Sequence, residues 1–352
     1  MWIPDSFSVP VRYVEEEILT IEKTIAVQAH KRGKEHKNKL ANRQNVAIGV
    51  SFPAVGVGRW LRDKEAMEAR AKEKGVTLKI EINEFDVIKQ ALQVEKLISQ
   101  GINVLIVVPI DPVSPASFIE KAHKAGIKVI SYDDLAQNTD LELYMAFSWT
   151  RIGEIQGLYL VTKVPRGNYI IMSGDPGIEF KEGAMEYIQP LANIGNVKIV
   201  TDKVIKGWDP KIAYGIVKDS LIANKNNINA ILAPNDETAG AAIEALQEQG
   251  LAGKAAVTGQ DADLAAIRRI IQGTQSMTVL KDTRELGKRA VDAAINLAEG
   301  GPVDTNSKVN NGKMNVPSIL LEPVLVDKNN IDSVIIGRGY YTKEQVYGRK
   351  SR

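Results

Sequence analysis

Residues 104–133 read VLIVVPIDPVSPASFIEKAHKAGIKVISYD, and their reading decides the fold. The run at 104–108 is short, apolar and β-branched, the pattern of a strand buried on both faces. Residues 115–125 have the length and spacing of a helix ending near Gly126, where a left-handed residue stops it. Residues 129–132 then return to the buried-strand pattern. Strand, helix and strand within about thirty residues make a βαβ unit, which implies a parallel sheet with helices on its faces.

The same rhythm extends in both directions. Upstream, strands are predicted at 46–50 and 77–82 and helices at 60–74 and 87–100. Downstream, strands are predicted at 168–173, 197–204, 230–233 and 257–259. Helices are predicted at 182–194, 210–224, 238–249 and 285–299. Two such series make two doubly wound lobes that divide near residues 147–151. The length of 352 residues fits two domains better than one core.

Composition narrows the function. The chain is 44% hydrophobic and 25% charged, as a folded soluble protein is. No stretch approaches the roughly eighteen consecutive apolar residues of a membrane span. A net charge of +2 provides no electrostatic attraction to nucleic acid. The absence of cysteine excludes disulfides, thiolate metal sites and cysteine nucleophiles. Three histidines are few for a zinc enzyme, and no phosphate loop, dinucleotide fingerprint or nucleophile elbow completes its pattern. Asp261-Ala262-Asp263 lacks the glycine and terminal glutamate of a calcium loop. Neither enzymatic activity, cofactor nor metal is expected.

Ligands of such sheets sit beyond the carboxyl ends of the strands. The residues there are Arg59-Trp60, Asp111, Asp133-Asp134, Ser148-Trp149, Asp175, Asn235-Asp236, Gln260-Asp261 and Lys281. This is the chemistry of a sugar site. Carboxylates, amides and guanidinium bind adjacent hydroxyls, while Trp60 and Trp208 offer flat faces to the ring. Each has a plainer reading: Asp133 as a turn residue, Trp208 as a lid over core, Asp236 (more than Asn235) and Asp263 as helix N-caps. The pair Asp133-Asp134 does not suggest a glycosidase, since adjacent side chains project differently.

Seven segments carry a resemblance. They are Gly58-Arg59-Trp60, Val129-Ile130-Ser131-Tyr132-Asp133, Lys206-Gly207-Trp208, Pro234 to Gly240, Thr258 to Leu264, Gly273 to Lys281, and Val309-Asn310-Asn311-Gly312 leading to Val316-Pro317-Ser318. In order and content they resemble periplasmic sugar-binding proteins of the ribose/galactose type, most closely those for D-xylose. The resemblance implies the type I periplasmic-binding-protein fold: two doubly wound parallel-sheet lobes joined by a three-segment hinge. The lobes comprise residues 45–148 with 283–315, and 149–282 with 316–352. It places sugar contacts at Arg59, Trp60, Asp133, Trp208, Asn235, Asp261 and Lys281. Two departures stand out. Asp134 replaces an arginine of the xylose-binding relatives, and the loop 173–183 is shorter than theirs. Asp175, Glu179 and Lys181 are candidates to substitute for what that loop supplies, and Trp149 is a further candidate sugar contact.

Residues 1–44 lie outside the family pattern and are read as an amphipathic helical extension with a basic linker. Val11, Val14, Ile18, Ile21 and Ile25 are spaced as a coiled-coil seam. Lys31, Arg32, Lys34, Lys37, Lys39 and Arg43 follow, suited to an anionic membrane surface. The expected partner is a membrane protein, either the sensor domain of a histidine kinase or an ABC permease. Met1–Asp5 shows no basic region followed by an apolar run, so no signal peptide is legible. An extracytoplasmic location then requires an export or anchor segment upstream. The alternative is the core of a sugar-responsive repressor, against which the single amphipathic N-terminal helix argues.

Overall fold

The structure, a computed structural model, describes residues 46–53, 58–175 and 177–348. The seam Val11, Val14, Ile18, Ile21 and Ile25 lies outside the described residues.

The β-branched runs form strands that are most deeply buried at the centre of each sheet. They are β1 (Ala47–Phe52), β2 (Thr77–Ile82), β3 (Val104–Val107), β4 (Lys128–Tyr132) and β5 (Leu143–Phe147), then β6 (Gly167–Asp175), β7 (Val197–Lys206), β8 (Ala230–Leu232), β9 (Ala256–Val257) and β10 (Met277–Leu280). Three more follow: β11 (Ser307–Asn310), β12 (Asn315–Leu321) and β13 (Val324–Asp327). The first sheet has the order β11-β12-β5-β4-β3-β1-β2 and is parallel except for its β11–β12 hairpin. The second has the order β7-β6-β8-β9, all parallel. Backbone bonds from Ser276 N to Val257 O (2.9 Å) and Val279 N to Gly259 O (3.1 Å) extend it to β10, which pairs antiparallel with β13.

Side chains explain the layering. Ile48, Val50, Ile106 and Ile130 are wholly buried on one face of the first sheet, while Leu105, Val107 and Val129 are buried on the other. A strand apolar on both faces can only be internal to a parallel sheet. The helix Pro115–Lys124 ends as predicted, with Gly126 at φ 78° accepting the left-handed turn that leads into β4. Asp86 and Asp209 cap the helices Val87–Ser99 and Pro210–Ala223, accepting from Lys89 N (2.9 Å) and Lys211 N (2.8 Å).

The chain passes between the sheets in three places: after β5, after β10 and after β12. The third crossing departs from the boundary read at 315/316. Ser318–Leu321 of β12 pair in parallel register with Tyr144–Phe147 of β5, so those residues belong to the first sheet. Val316 and Ser318 are fully buried there, which rewards the pairing more than either strand's local sequence announces. The helices Gly58–Lys74 and Thr283–Ala298 pack beside the first sheet, and Trp149–Lys163 lies against Ile178–Asn193 beside the second. No helix among the described residues is long and apolar enough to cross a membrane.

Candidate functional site

At the carboxyl ends of β1 and β4 one wall rests on a buried aromatic cluster. Phe52, the last residue of β1, lies 6.0 Å from Trp60 at 52° and 6.5 Å from Tyr132 at 88°. The Tyr132 hydroxyl donates to the carboxylate of buried Asp63, which holds the ring at the end of β4. Trp60 is only 7% exposed, so its indole is as much core as surface. Arg59 precedes it in the first turn of the helix Gly58–Lys74.

Asp133 follows β4 with φ 67°, a left-handed backbone that short polar side chains tolerate. Its amide donates to Met145 O (2.7 Å) and its carbonyl accepts from the Tyr144 hydroxyl (2.9 Å). Burial pushes the Tyr144 phenol well above its ordinary pKa, with Asp133 and Asp134 adding to the effect. The neighbouring Asp134 lines a cavity of about 470 Å³ shared with Tyr144, Trp149 and Glu179.

The second wall comes from the ends of β7 to β10. Trp208 stands after β7 with its indole 6.2 Å from that of Trp149, at 78°. Asn235 follows β8 and forms a capping box: its side chain accepts from Thr238 N (2.9 Å), and Thr238 Oγ1 in turn accepts from Asn235 N (3.2 Å). This reverses the assignment of the cap to Asp236. Asp236 lies inside the helix and is buried, with its carboxylate accepting from Gln275 Nε2 (2.8 Å), Thr278 Oγ1 (2.9 Å) and Asp263 N (2.9 Å). Burial raises its pKa strongly, and Asp263 and Asp261 raise it further. Three internal donors mark it as a knot of the fold.

Asp261 sits at φ 99° after β9, anchored through its amide to Val279 O (2.9 Å). Lys281, directly after β10, places its ammonium 2.8 Å from the Asp261 carboxylate. The two side chains are 11% and 22% exposed, so the pair is largely desolvated but still open to a ligand. Asp263 occupies the N-cap position of the helix Leu264–Gln272, yet its side chain makes no cap bond. Burial and the adjacent Asp261 push its carboxyl up to about 6, against the lowering effect of Arg62 and Arg269.

Not every candidate joins this constellation. Lys181 holds the Asp202 carboxylate at 2.6 and 2.7 Å, facing the middle of the edge strand β7 rather than its carboxyl end. Asp175 ends β6 and is exposed.

One linkage escaped the sequence reading. The Arg62 guanidinium, from the helix Gly58–Lys74, lies 4.7 Å from the Tyr340 ring and 5.7 Å from that of Tyr341, and donates to the Tyr341 hydroxyl (3.3 Å). Arg284 lies 5.0 Å from Tyr340 and donates to Gly339 O (2.6 Å). Tyr340 is buried against Ala262, Ile267 and Leu280 beside Asp261. Two arginines beside the first sheet thus clasp a segment rooted in the second. Only the adjacent tyrosines hint at it in sequence, because the contacts span 55 positions from Arg284 to Gly339 and 279 from Arg62 to Tyr341.

Residues 48–302 match the periplasmic binding protein domain family. The chain belongs to that family. The binding protein is 39% identical over 311 residues to the D-xylose-binding periplasmic protein of Haemophilus influenzae, covering 87% of this chain and 94% of the relative. It is 36% identical to the Escherichia coli D-xylose-binding periplasmic protein, covering 88% and 95% of the two chains. Among solved structures, the carbohydrate transporter solute binding protein of Chloroflexus aurantiacus in complex with D-glucose superposes with a TM-score of 0.79. That pair is 32% identical, over 85% of this chain and 98% of the other. The fold is therefore the type I periplasmic-binding-protein fold, and the chain is a solute-binding protein rather than an enzyme.

Proposed function

We propose that this binding protein takes up one monosaccharide, D-xylose first among them, between its two sheets in an extracytoplasmic compartment. The observation that carries the reading is the meeting of aromatic faces with directed polar groups at the strand ends. Trp208 offers a part-exposed indole, the buried Trp60 backs the opposite wall, and Asp133, Asn235 and the Asp261–Lys281 pair offer hydroxyl-binding groups. Hydrogen bonds to charged groups contribute roughly 1.5–3 kcal/mol each. A few of these with stacking reach the roughly 8 kcal/mol of micromolar binding after association costs. The names of the Haemophilus influenzae and Escherichia coli relatives favour D-xylose, while the Chloroflexus aurantiacus complex keeps D-glucose as the comparison ligand. Calorimetric titration with D-xylose, D-ribose, L-arabinose and D-glucose tests this. Micromolar or tighter D-xylose binding is expected, and heat from none of the four sugars overturns the proposal.

The closed, sugar-loaded form is presented to a membrane partner, an ABC permease or the extracytoplasmic domain of a histidine kinase. A partner responds to closure only through its differential affinity for the open and closed forms. The seam in residues 1–44 supports the kinase, since a freely diffusing transport component needs no such segment. Removing residues 1–44 should leave sugar affinity intact and weaken capture by the receptor domain. Unchanged capture would leave the permease as the partner.

A further inference from the structure

The Trp208 backbone is strained, and its surroundings show what holds it. Gly207 and Trp208 both take left-handed conformations, at φ 61° and 57°. That region suits glycine, and a bulky aromatic enters it only where neighbours over-determine the position. Trp208 N donates to Ile205 O (3.2 Å), which closes the turn, and Asp209 caps the next helix, so the chain is fixed on both sides.

The side chain is fixed as well. A Cβ on Gly174 would lie 2.2 Å from Trp208 Cε2 and 2.3 Å from Cζ2, so the indole lies directly on the backbone of β6. A Cβ on Gly177 would lie 3.1 Å from Trp208 Cζ2 and 3.4 Å from Trp149 Cζ3. Trp149 meets Trp208 at 6.2 Å and 78°, the edge-to-face arrangement aromatic quadrupoles favour. Trp149 in turn is placed by the start of its helix, where the Ser148 side chain accepts from Arg151 N (3.2 Å).

We infer that Trp149 and Gly174 are positioning residues for sugar binding: together they set the plane of the Trp208 indole. This rests on the reading that Trp208 stacks on the sugar. Trp149 meets the indole at a near-perpendicular angle, and the missing side chain at Gly174 lets one face of the indole lie flat against β6, so that the sugar takes the other face. The short loop 173–183 thus receives two indoles, and the second wall meets its ligand with carbon where Lys181 is engaged by Asp202.

The test is D-xylose titration of wild type, Trp149→Ala, Trp149→Phe and Gly174→Ala, with thermal unfolding as a check on folding. Trp149→Ala is expected to weaken binding roughly tenfold through a misplaced Trp208, and Trp149→Phe to recover most of it by restoring an aromatic edge. Gly174→Ala, which pushes the indole away from β6, is expected to weaken binding at least as much. A folded Trp149→Ala or Gly174→Ala with wild-type affinity overturns the inference while leaving the sugar site standing. If Trp149→Ala does not fold, Gly174→Ala decides alone. If Gly174→Ala also fails to fold, Trp149→Phe decides, and an affinity as low as that of a Trp208→Ala variant overturns the inference. Wild type without affinity for D-xylose removes the xylose reading and this inference together.

Discussion

The two walls of the cleft are made differently. At the first, Phe52, Trp60 and Tyr132 pack into one another and into the body of the first sheet, so this wall is continuous with core. At the second, Asn235, Asp261, Lys281 and Trp208 stand on turns, held by hydrogen bonds, an ion pair and left-handed backbone. The first wall is rigid because burial makes it so. The second depends on local polar geometry, so on the proposed reading a substitution there is expected to remove affinity while sparing the fold.

The sharpest test contrasts the two tryptophans. Trp60→Ala should destabilise the protein by about 3–5 kcal/mol, the usual cost of a large aromatic lost from a core. Trp208→Ala should cost affinity with a much smaller change in unfolding temperature, as its indole is only half-buried. Equal thermal shifts in the two variants would erase the distinction. Next in size, Asp261→Ala leaves the Lys281 ammonium without its partner at 2.8 Å in a largely desolvated place. Its affinity for D-xylose should fall by about 2–3 kcal/mol, roughly thirty- to 150-fold, by calorimetry.

Much of this contrast was legible in the chain. The strand-end rule led to Trp60, Asp133, Asn235, Asp261 and Lys281, because a strand's end and the residue after it are local features of sequence. The pairing of Trp149 with Trp208 was not legible, nor was the engagement of Lys181 by Asp202, since each depends on which helix start meets which strand end.

The clasp joins the walls and offers a gentler test. Arg62→Ala removes a guanidinium from two tyrosine rings and should weaken D-xylose binding by about 1 kcal/mol, less than tenfold, without touching the proposed contacts. An unchanged affinity would mean the clasp does not favour the closed arrangement.

The smallest effect is one of pH. The Asp263 carboxyl is pushed up to about 6 by burial and by Asp261, so the folded state holds its proton more tightly than the unfolded chain does. The stability this confers is present below the ordinary carboxylate range and is lost as pH rises through about 6. Facing groups are Asp261, Glu237, Arg62 and Arg269. Asp263→Asn should therefore raise the unfolding temperature at pH 7.5 and leave it nearly unchanged at pH 4. A shift of the same size at both values would show that ionisation is not the cause.

The sequence by itself determined the βαβ alternation, the parallel sheets and the polar residues that stand at the strand ends. Buried parallel strands must be apolar on both faces and their ends must be polar, and both requirements are written within a few residues. Only the tertiary structure decided that β12 joins the first sheet, that Asn235 rather than Asp236 caps its helix, and that Arg62 and Arg284 grip Tyr340. Each is a choice among locally equivalent options. Burial of Val316 and Ser318, the three donors around Asp236 and the cation–π contacts of a distant segment settle them. Those energies exist only once remote parts of the chain have met.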